Sequence, residues 1–241
     1  TKSLLMKTEQ ASPLSSPLCG RRVLVAVSGS IAAVKTPLLV SALIKAGAEV
    51  RCLVTTSGAA LVSPVALASL SRHRCYLEAD QWDSASSRPL HIELAEWAEL
   101  AIVAPLSASS LSRWSQGSAD GLLASVLLAM EAPVIAAPAM NTAMWRHPAV
   151  QRNWQQVQSF PGVIPLVPAS GLLACDRVGD GRMADPLLIE LAASSVFSRG
   201  SGTPDVTLDC SGMSVLVSAG PTQESIDPAR FLSNRSSGHM G

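Results

Sequence analysis

The chain has 241 residues, 48% of them apolar and only 15% charged, enough apolar material for one well-buried domain and part of another. Eighteen basic and eighteen acidic side chains cancel. That balance argues against a nucleic-acid footprint or an anionic-membrane patch and leaves a small-molecule ligand as the expected partner.

Five cysteines, at positions 19, 52, 75, 175 and 210, are odd in number and show no Cys-x-x-Cys spacing. A closed disulfide framework is therefore not expected, and a reducing, cytoplasmic setting is. The longest apolar stretch, Leu122 to Met140, is interrupted by Glu131, Pro133 and Pro138, so it cannot be one membrane span. Residues 1–20 are rich in Ser and Thr and lack the apolar core of a signal peptide, which predicts a mobile tail. A start on Thr and a Gly-rich end carry the expectation of a sequence cut at both ends.

Regular structure is expected from Arg22. Val23 to Val27 reads as a buried strand, Ser28-Gly29-Ser30 as a tight turn, and Ile31 to Ala46 as a helix closed by Gly47. Pro37 removes a donor from that helix, predicting a kink or a restart with Thr36 as cap. A small-residue turn between strand and helix lets a phosphate approach backbone amides at the helix's positive end, and Ser30 can add a hydroxyl. Gly-x-Gly-x-x-Gly is absent, so a mononucleotide such as FMN fits better than a dinucleotide. Glu49 to Thr55 is the next strand, and Thr55 to Ser57 again bring hydroxyls to a strand's carboxyl end. Ala59 to Leu70 reads as helix apart from Pro64, and Cys75 to Pro89 as a Ser-rich loop. Glu78, Asp80 and Asp83 follow no metal-ligand pattern and are expected to be solvated; no metal site is expected.

His91 precedes an amphipathic turn that leads into the strand Leu100 to Ala104, and it can exchange a proton near neutral pH or serve as a structural cap. Pro105 to Ser109 follow that strand, and Leu122 to Met130 is a core helix. Val134 to Ala137 is a short apolar run suited to a parallel strand. It delivers Asn141 at a carboxyl end, where open α/β sheets place their ligands. Asn there offers one acceptor and two donors from a planar group, suited to a carboxylate or amide, although the same stretch also serves as a plain connecting turn. Beyond a polar helix over Val150 to Ser159 and a strand over Val163 to Val167, residues 169–183 form a Gly-rich stretch that reads as a loop or lid, with Cys175 and Arg182 in it. Arg182 suits an anionic group. A helix over Asp185 to Phe197, a linker over 198–213 and a new strand at Ser214 to Ala219 complete the reading.

Five stretches in this order carry a resemblance: Ser28-Gly29-Ser30-Ile31-Ala32-Ala33-x-Lys35, His91-Ile92-x-Leu94-x-x-Trp97-Ala98, Pro105-x-x-Ala108-Ser109, Pro138-Ala139-Met140-Asn141-x-x-Met144-Trp145 and Ala174-Cys175-x-x-x-Gly179-x-Gly181-Arg182-Met183. Together they resemble the flavin-containing cysteine decarboxylases, in particular the phosphopantothenoylcysteine decarboxylases. Two positions depart from the family pattern. Glu99 stands where Asp is commoner, and Ser109 stands where Asn or Asp is usual, keeping a hydroxyl but not the amide or carboxylate.

The resemblance implies a doubly wound α/β parallel sheet, a Rossmann-like flavoprotein, over residues 21–197. It implies FMN held by Gly29, Ser30, Thr55, Ser57, Pro105, Ser107, Ala108, Ser109 and Ala139. Substrate would be bound by Asn141, Met144, Arg182 and Met183; His91 would manage a proton and Cys175 would protonate the enethiolate product. Sites between subunits, in a trimer or a dodecamer of trimers, are implied as well. Gly220-Pro221-Thr222 with Asp227-Pro228-x-Arg230-Phe231-x-Ser233-Asn234-x-Ser236-Ser237-Gly238-x-Met240-Gly241 resembles the opening of phosphopantothenate-cysteine ligase, so residues 214–241 are expected to begin a second α/β domain. The alternatives within the resemblance are a peptidyl-cysteine decarboxylase, a flavin prenyltransferase relative, and a non-catalytic, phosphatase-regulating homologue.

Overall fold

The computed structural model describes residues 16–83, 87–172, 178–198, 214, 223–227 and 230–233. The chain divides into two units, Thr1–Pro204 and Asp205–Gly241. In the first, the strands β1 (Arg22–Val27), β2 (Glu49–Val54), β3 (Cys75–Leu77), β4 (Leu100–Leu106), β5 (Val134–Pro138) and β6 (Val163–Pro165) form a parallel sheet in the order β3-β2-β1-β4-β5-β6. This is the order of a doubly wound sheet, and its direction reverses between β1 and β4.

Side-chain alternation explains why helices cover both faces. Val23, Val25 and Val27 of β1 enter one core with Leu39, Val40 and Leu43 of α1 (Thr36–Lys45), Leu67 of α3 (Pro64–Ser71) and Ile189 and Ala193 of α9 (Pro186–Ser198). Leu24 and Ala26 enter the other, with Leu94 of α4 (Leu90–Trp97), Leu111 and Trp114 of α5 (Ala108–Ser115), Val126 of α6 (Leu122–Ala129) and Trp154 of α8 (Pro148–Gln158). Each fully buried Val or Leu contributes roughly 1.5–3 kcal/mol, so the central strands are fixed from both sides.

Several expectations are corrected. Residues 16–20 are not a free tail: Leu18 is fully buried in the first core, and Gly20 N–H donates to the Gly47 carbonyl at 2.8 Å. Residues 1–15 lie outside the described residues. Pro37 does interrupt the first helix, as a 3-10 turn over Ile31–Lys35 that gives way to α1, but Thr36 is not the cap. Its hydroxyl donates instead to the Ala104 carbonyl at 2.9 Å, tying α1 to β4. The expected loop from Cys75 contains the edge strand β3, whose Cys75 pairs with Cys52 of β2. Glu78 and Asp80 are not merely solvated. Glu78 accepts the Leu122 N–H where Gly121 has no side chain to cap α6, and Asp80 accepts from Leu77 N–H and pairs with Arg74 at 2.9 Å.

Residues 169–182 also differ from the expected loop. β7 (Ala169–Leu172) and β8 (Val178–Arg182) pair antiparallel as a hairpin, and residues 173–177, with Cys175 among them, lie outside the described residues. In the second unit, β9 (Gln223–Asp227) and β10 (Arg230–Ser233) form an antiparallel pair. Most of the expected linker and the strand expected at Ser214 to Ala219 lie outside the described residues, as do the Gly220 to Thr222 and Asn234 to Gly241 stretches. Among the described residues no helix is long and apolar enough to cross a membrane.

Candidate functional site

Three loops meet at the carboxyl ends of β1, β2 and β4, the first and third joined by hydrogen bonds and the second by close packing. Ser28 is fully buried; its hydroxyl donates to the Pro105 carbonyl and accepts the Ser107 N–H, both at 2.7 Å. This joins the turns after β1 and β4 at the point where the strand order reverses. Gly29 closes the third side: a Cβ there would fall 2.5 Å from the Ser57 Cβ, so only glycine permits this approach.

Helix capping then sets where the strand-end side chains sit. Thr55 accepts the Gly58 N–H at 3.1 Å, opening α2 (Thr56–Ala59). Ser107 accepts the Ser110 N–H at 3.3 Å and opens α5. Asn141 Oδ1 accepts the Met144 N–H at 2.8 Å and opens α7 (Thr142–Arg146), which leaves its Nδ2 donors free of the cap. Ser30 precedes the 3-10 turn without a side-chain cap bond, so its hydroxyl is not committed to that turn.

These loops border a cavity of about 790 Å³, within the size range of cofactor sites. Gly29, Ser30 and Lys35 line it from the β1 side, Ser107, Ala108 and Ser109 from β4, Ala139 to Asn141 and Met144 from β5, and Gly181 to Met183 from the hairpin. Ile31, Val34, Met140 and Met183 make its walls mainly apolar. A smaller, more polar cavity of about 260 Å³ shares Gly29, Ser107 and Ser109 and adds Thr55, Thr56, Ser57 and Arg113. Arg113 pairs with Asp120 at 3.4 Å. Lys35 and Arg182, by contrast, have no acidic partner among the described residues, so the larger cavity favours an anion. The whole suits a ligand with a flat apolar body and anionic or hydroxylated ends.

Most of the sequence-derived site residues converge here, but not all. Thr55 and Ser57 line the smaller cavity and not the larger one. Pro105 lines neither; it is buried in β4, which extends to Leu106, and acts through its carbonyl on Ser28. His91 is half-buried in the first turn of α4 and lines neither cavity. Ser28, Lys35 and the apolar pair Ile31 and Val34 were not among the site residues expected. Lys35 carried a signal, a cation one turn beyond a phosphate-sized turn, whereas nothing in a small residue at a strand end marks Ser28.

The thiols of Cys52 and Cys75 are not candidate nucleophiles. Burial is the main cause that raises them, to about 12 and about 11, and both lie on the β2 and β3 side of the sheet. Among the described residues no group of three His, Cys, Asp or Glu could hold a metal ion.

Comparison with known proteins matches residues 11–190 to the Flavoprotein family. The chain belongs to that family. Residues 210–241 match a second model, the DNA/pantothenate metabolism flavoprotein C-terminal domain. The coenzyme A biosynthesis bifunctional protein CoaBC of Bacillus subtilis is 42% identical over 224 residues, which cover 93% of this chain and 53% of the relative. The chain thus spans about half the length of the curated relatives it matches. Among solved structures, a PPC decarboxylase mutant C175S complexed with pantothenoylaminoethenethiol is similar at 34% identity and a TM-score of 0.69, covering 75% of this chain and 100% of that one. The FMN-binding protein AtHal3 is similar at 34% identity and a TM-score of 0.68, covering 76% of this chain and 99% of that one. In this flavoprotein domain, the cavity at the β1 and β4 carboxyl ends occupies the ligand position that the strand order dictates.

Proposed function

We propose that this chain carries an FMN-dependent phosphopantothenoylcysteine decarboxylase, a carboxy-lyase of coenzyme A biosynthesis. The observation that carries this reading is the convergence of four separate stretches, at Gly29, Ser107, Asn141 and Arg182, on one mainly apolar cavity with two unpaired cations among the described residues. The residues present fit a flavin mononucleotide. Gly29 and Ser30 offer a turn without side-chain obstruction for the phosphate, the hydroxyls of Thr55, Ser57 and Ser107 line the polar end, and Ala108, Ala139 and Met140 give apolar walls. When bound, FMN supplies a two-electron acceptor for the substrate's cysteine moiety and a donor that returns those electrons.

The chain's own groups do the rest. Asn141 is held by its cap, and its Nδ2 donates to the substrate carboxylate, keeping it oriented for loss of carbon dioxide. Arg182 and Lys35 add positive potential for the substrate's anionic groups. His91 manages the proton at the cysteine moiety, and Cys175 protonates the carbon of the enethiolate product. Because His91 lines neither cavity of its own chain, this reading assigns it to the site of an adjoining copy. The exposed apolar row Ile31, Val34 and Leu38, beside the cavity, is where that copy seats, in a trimer or a dodecamer of trimers. A cytoplasmic protein in which residues 214–241 open a phosphopantothenate-cysteine ligase domain completes the proposal.

The test is direct. Purified protein reconstituted with FMN should be yellow, and on addition of phosphopantothenoylcysteine it should release carbon dioxide and form phosphopantetheine. Absence of flavin binding by calorimetry, or of product with flavin bound, would overturn the reading.

A further inference from the structure

We infer that Asp180 is a positioning residue that fixes Arg182 relative to Asn141, and so sets the grip on an anionic substrate. The inference rests on the decarboxylase reading for the identity of that substrate, but its structural basis is independent of it.

Asn141 and Arg182 come from different elements, and their chain neighbours are bonded to each other. Met140 N–H donates to the Gly181 carbonyl at 2.9 Å, and Thr142 Oγ1 donates to the Asp180 carbonyl at 2.8 Å. Gly179 lies against α7 and Gly181 against the segment that leads into it, so closely that a Cβ on either would collide, with the Thr142 side chain and the Met140 carbonyl respectively. Between these two glycines the only side chain is that of Asp180. One of its carboxylate oxygens accepts from Ser170 of the facing strand β7 at 2.5 Å, and the other from Arg146 of α7 at 2.9 Å.

A single carboxylate therefore joins both strands of the hairpin to the helix that Asn141 caps. Two hydrogen bonds to different elements fix a position in a way that one bond does not. An exposed ion pair adds little to global stability, since water competes for both partners. Its effect is local: it holds β8, and with it Arg182, in one register against α7. Gly29, Ser57 and Ser107, which line the smaller cavity, are on other loops and take no part in this contact.

Asp180→Ala, Arg146→Ala and the double variant test this. The expected result for Asp180→Ala is a rise of about tenfold in KM for phosphopantothenoylcysteine with kcat within about twofold, consistent with loss of binding orientation and not of chemistry. Arg146→Ala should raise KM in the same direction, and the double variant should be no worse than Asp180→Ala, because both remove one shared contact. Flavin absorbance should be unchanged in all three. Amide hydrogen exchange at Met140 and across 178–182 should be faster in Asp180→Ala than in wild type. If Asp180→Ala fails to fold, Asp180→Asn, which keeps the size but not the charge, carries the same comparison.

Wild-type KM together with unchanged exchange at Met140 would overturn the inference, as would additive effects of the two single variants. If wild-type protein does not turn over phosphopantothenoylcysteine at all, the functional reading fails, and the exchange measurement alone decides whether Asp180 couples the hairpin to α7.

Discussion

Asn141 Oδ1 accepts the Met144 N–H at 2.8 Å, so the side chain is at once a helix cap and a lining group of the larger cavity. Aspartate caps a helix as well as asparagine does. Asn141→Asp should therefore keep α7 and the flavin, yet it places a second carboxylate against that of the substrate in a partly desolvated site. The expected outcome is loss of carbon dioxide release with an unchanged melting temperature and unchanged flavin absorbance. Turnover at the wild-type rate would mean that the carboxylate is held elsewhere.

Ser28 offers a test of how the cavity floor is assembled. Its buried hydroxyl bridges the Pro105 carbonyl and the Ser107 N–H, and Ser28→Ala leaves the latter donor without its partner. An unsatisfied buried donor costs about 1–3 kcal/mol. Thermal unfolding should show a destabilisation of that order, and fluorescence titration should show weaker FMN binding, because Ser107 lines both cavities. Unchanged stability and affinity would indicate that the Ser107 N–H finds a substitute partner.

Glu99 links the start of the sheet to pH. Desolvation acts to raise its carboxyl, but the Arg22 N–H, the Arg21 guanidinium and the Arg22 side chain together outweigh it and hold the group below its ordinary value of 4.5. A depressed carboxylate contributes stability that is present above the unfolded value and is lost as pH falls through the folded one. Acid unfolding followed by circular dichroism should accordingly show a shallower loss below about pH 5 in Glu99→Gln than in wild type. Superimposable acid arms would show that the three donors add nothing net.

The sheet was readable in the sequence because its central strands are apolar on both faces, and Val23 to Val27 or Val134 to Ala137 leave few other options. β3 was not: Cys75, Tyr76 and Leu77 make an edge strand too short to display a period, and only pairing with β2 defines it. The hairpin was hidden for a different reason. Its glycines suggested a loop, whereas Gly179 and Gly181 are strand residues pressed against α7 and the Met140–Asn141 segment before it, a requirement visible only in three dimensions. That Asn141, Ser107 and Gly29 would border a cavity was legible because each lies at a strand end of a doubly wound sheet, where such sheets form their crevice. Asp180 was not, since its role depends on Ser170 and Arg146, ten and thirty-four positions away.

Ser109 is one of the two positions where the sequence departs from the pattern it resembles, and reversing the exchange probes the wall it lines. The residue is exposed in the first turn of α5, lines both cavities, and takes no part in the cap, which Ser107 provides. Serine and asparagine have similar helix propensities, so Ser109→Asn should change stability by no more than about 0.5 kcal/mol. The longer side chain brings a planar amide, with two donors and an acceptor, to the wall that the two cavities share. One added hydrogen bond to a ligand spanning both is worth about 0.5–1.5 kcal/mol, or roughly two- to twelvefold in affinity. Calorimetric titration with FMN should therefore show tighter binding by Ser109→Asn than by wild type. Weaker or equal binding would mean that the flavin does not cross this wall, and that the serine marks a place where this chain leaves the cofactor free of side-chain contact.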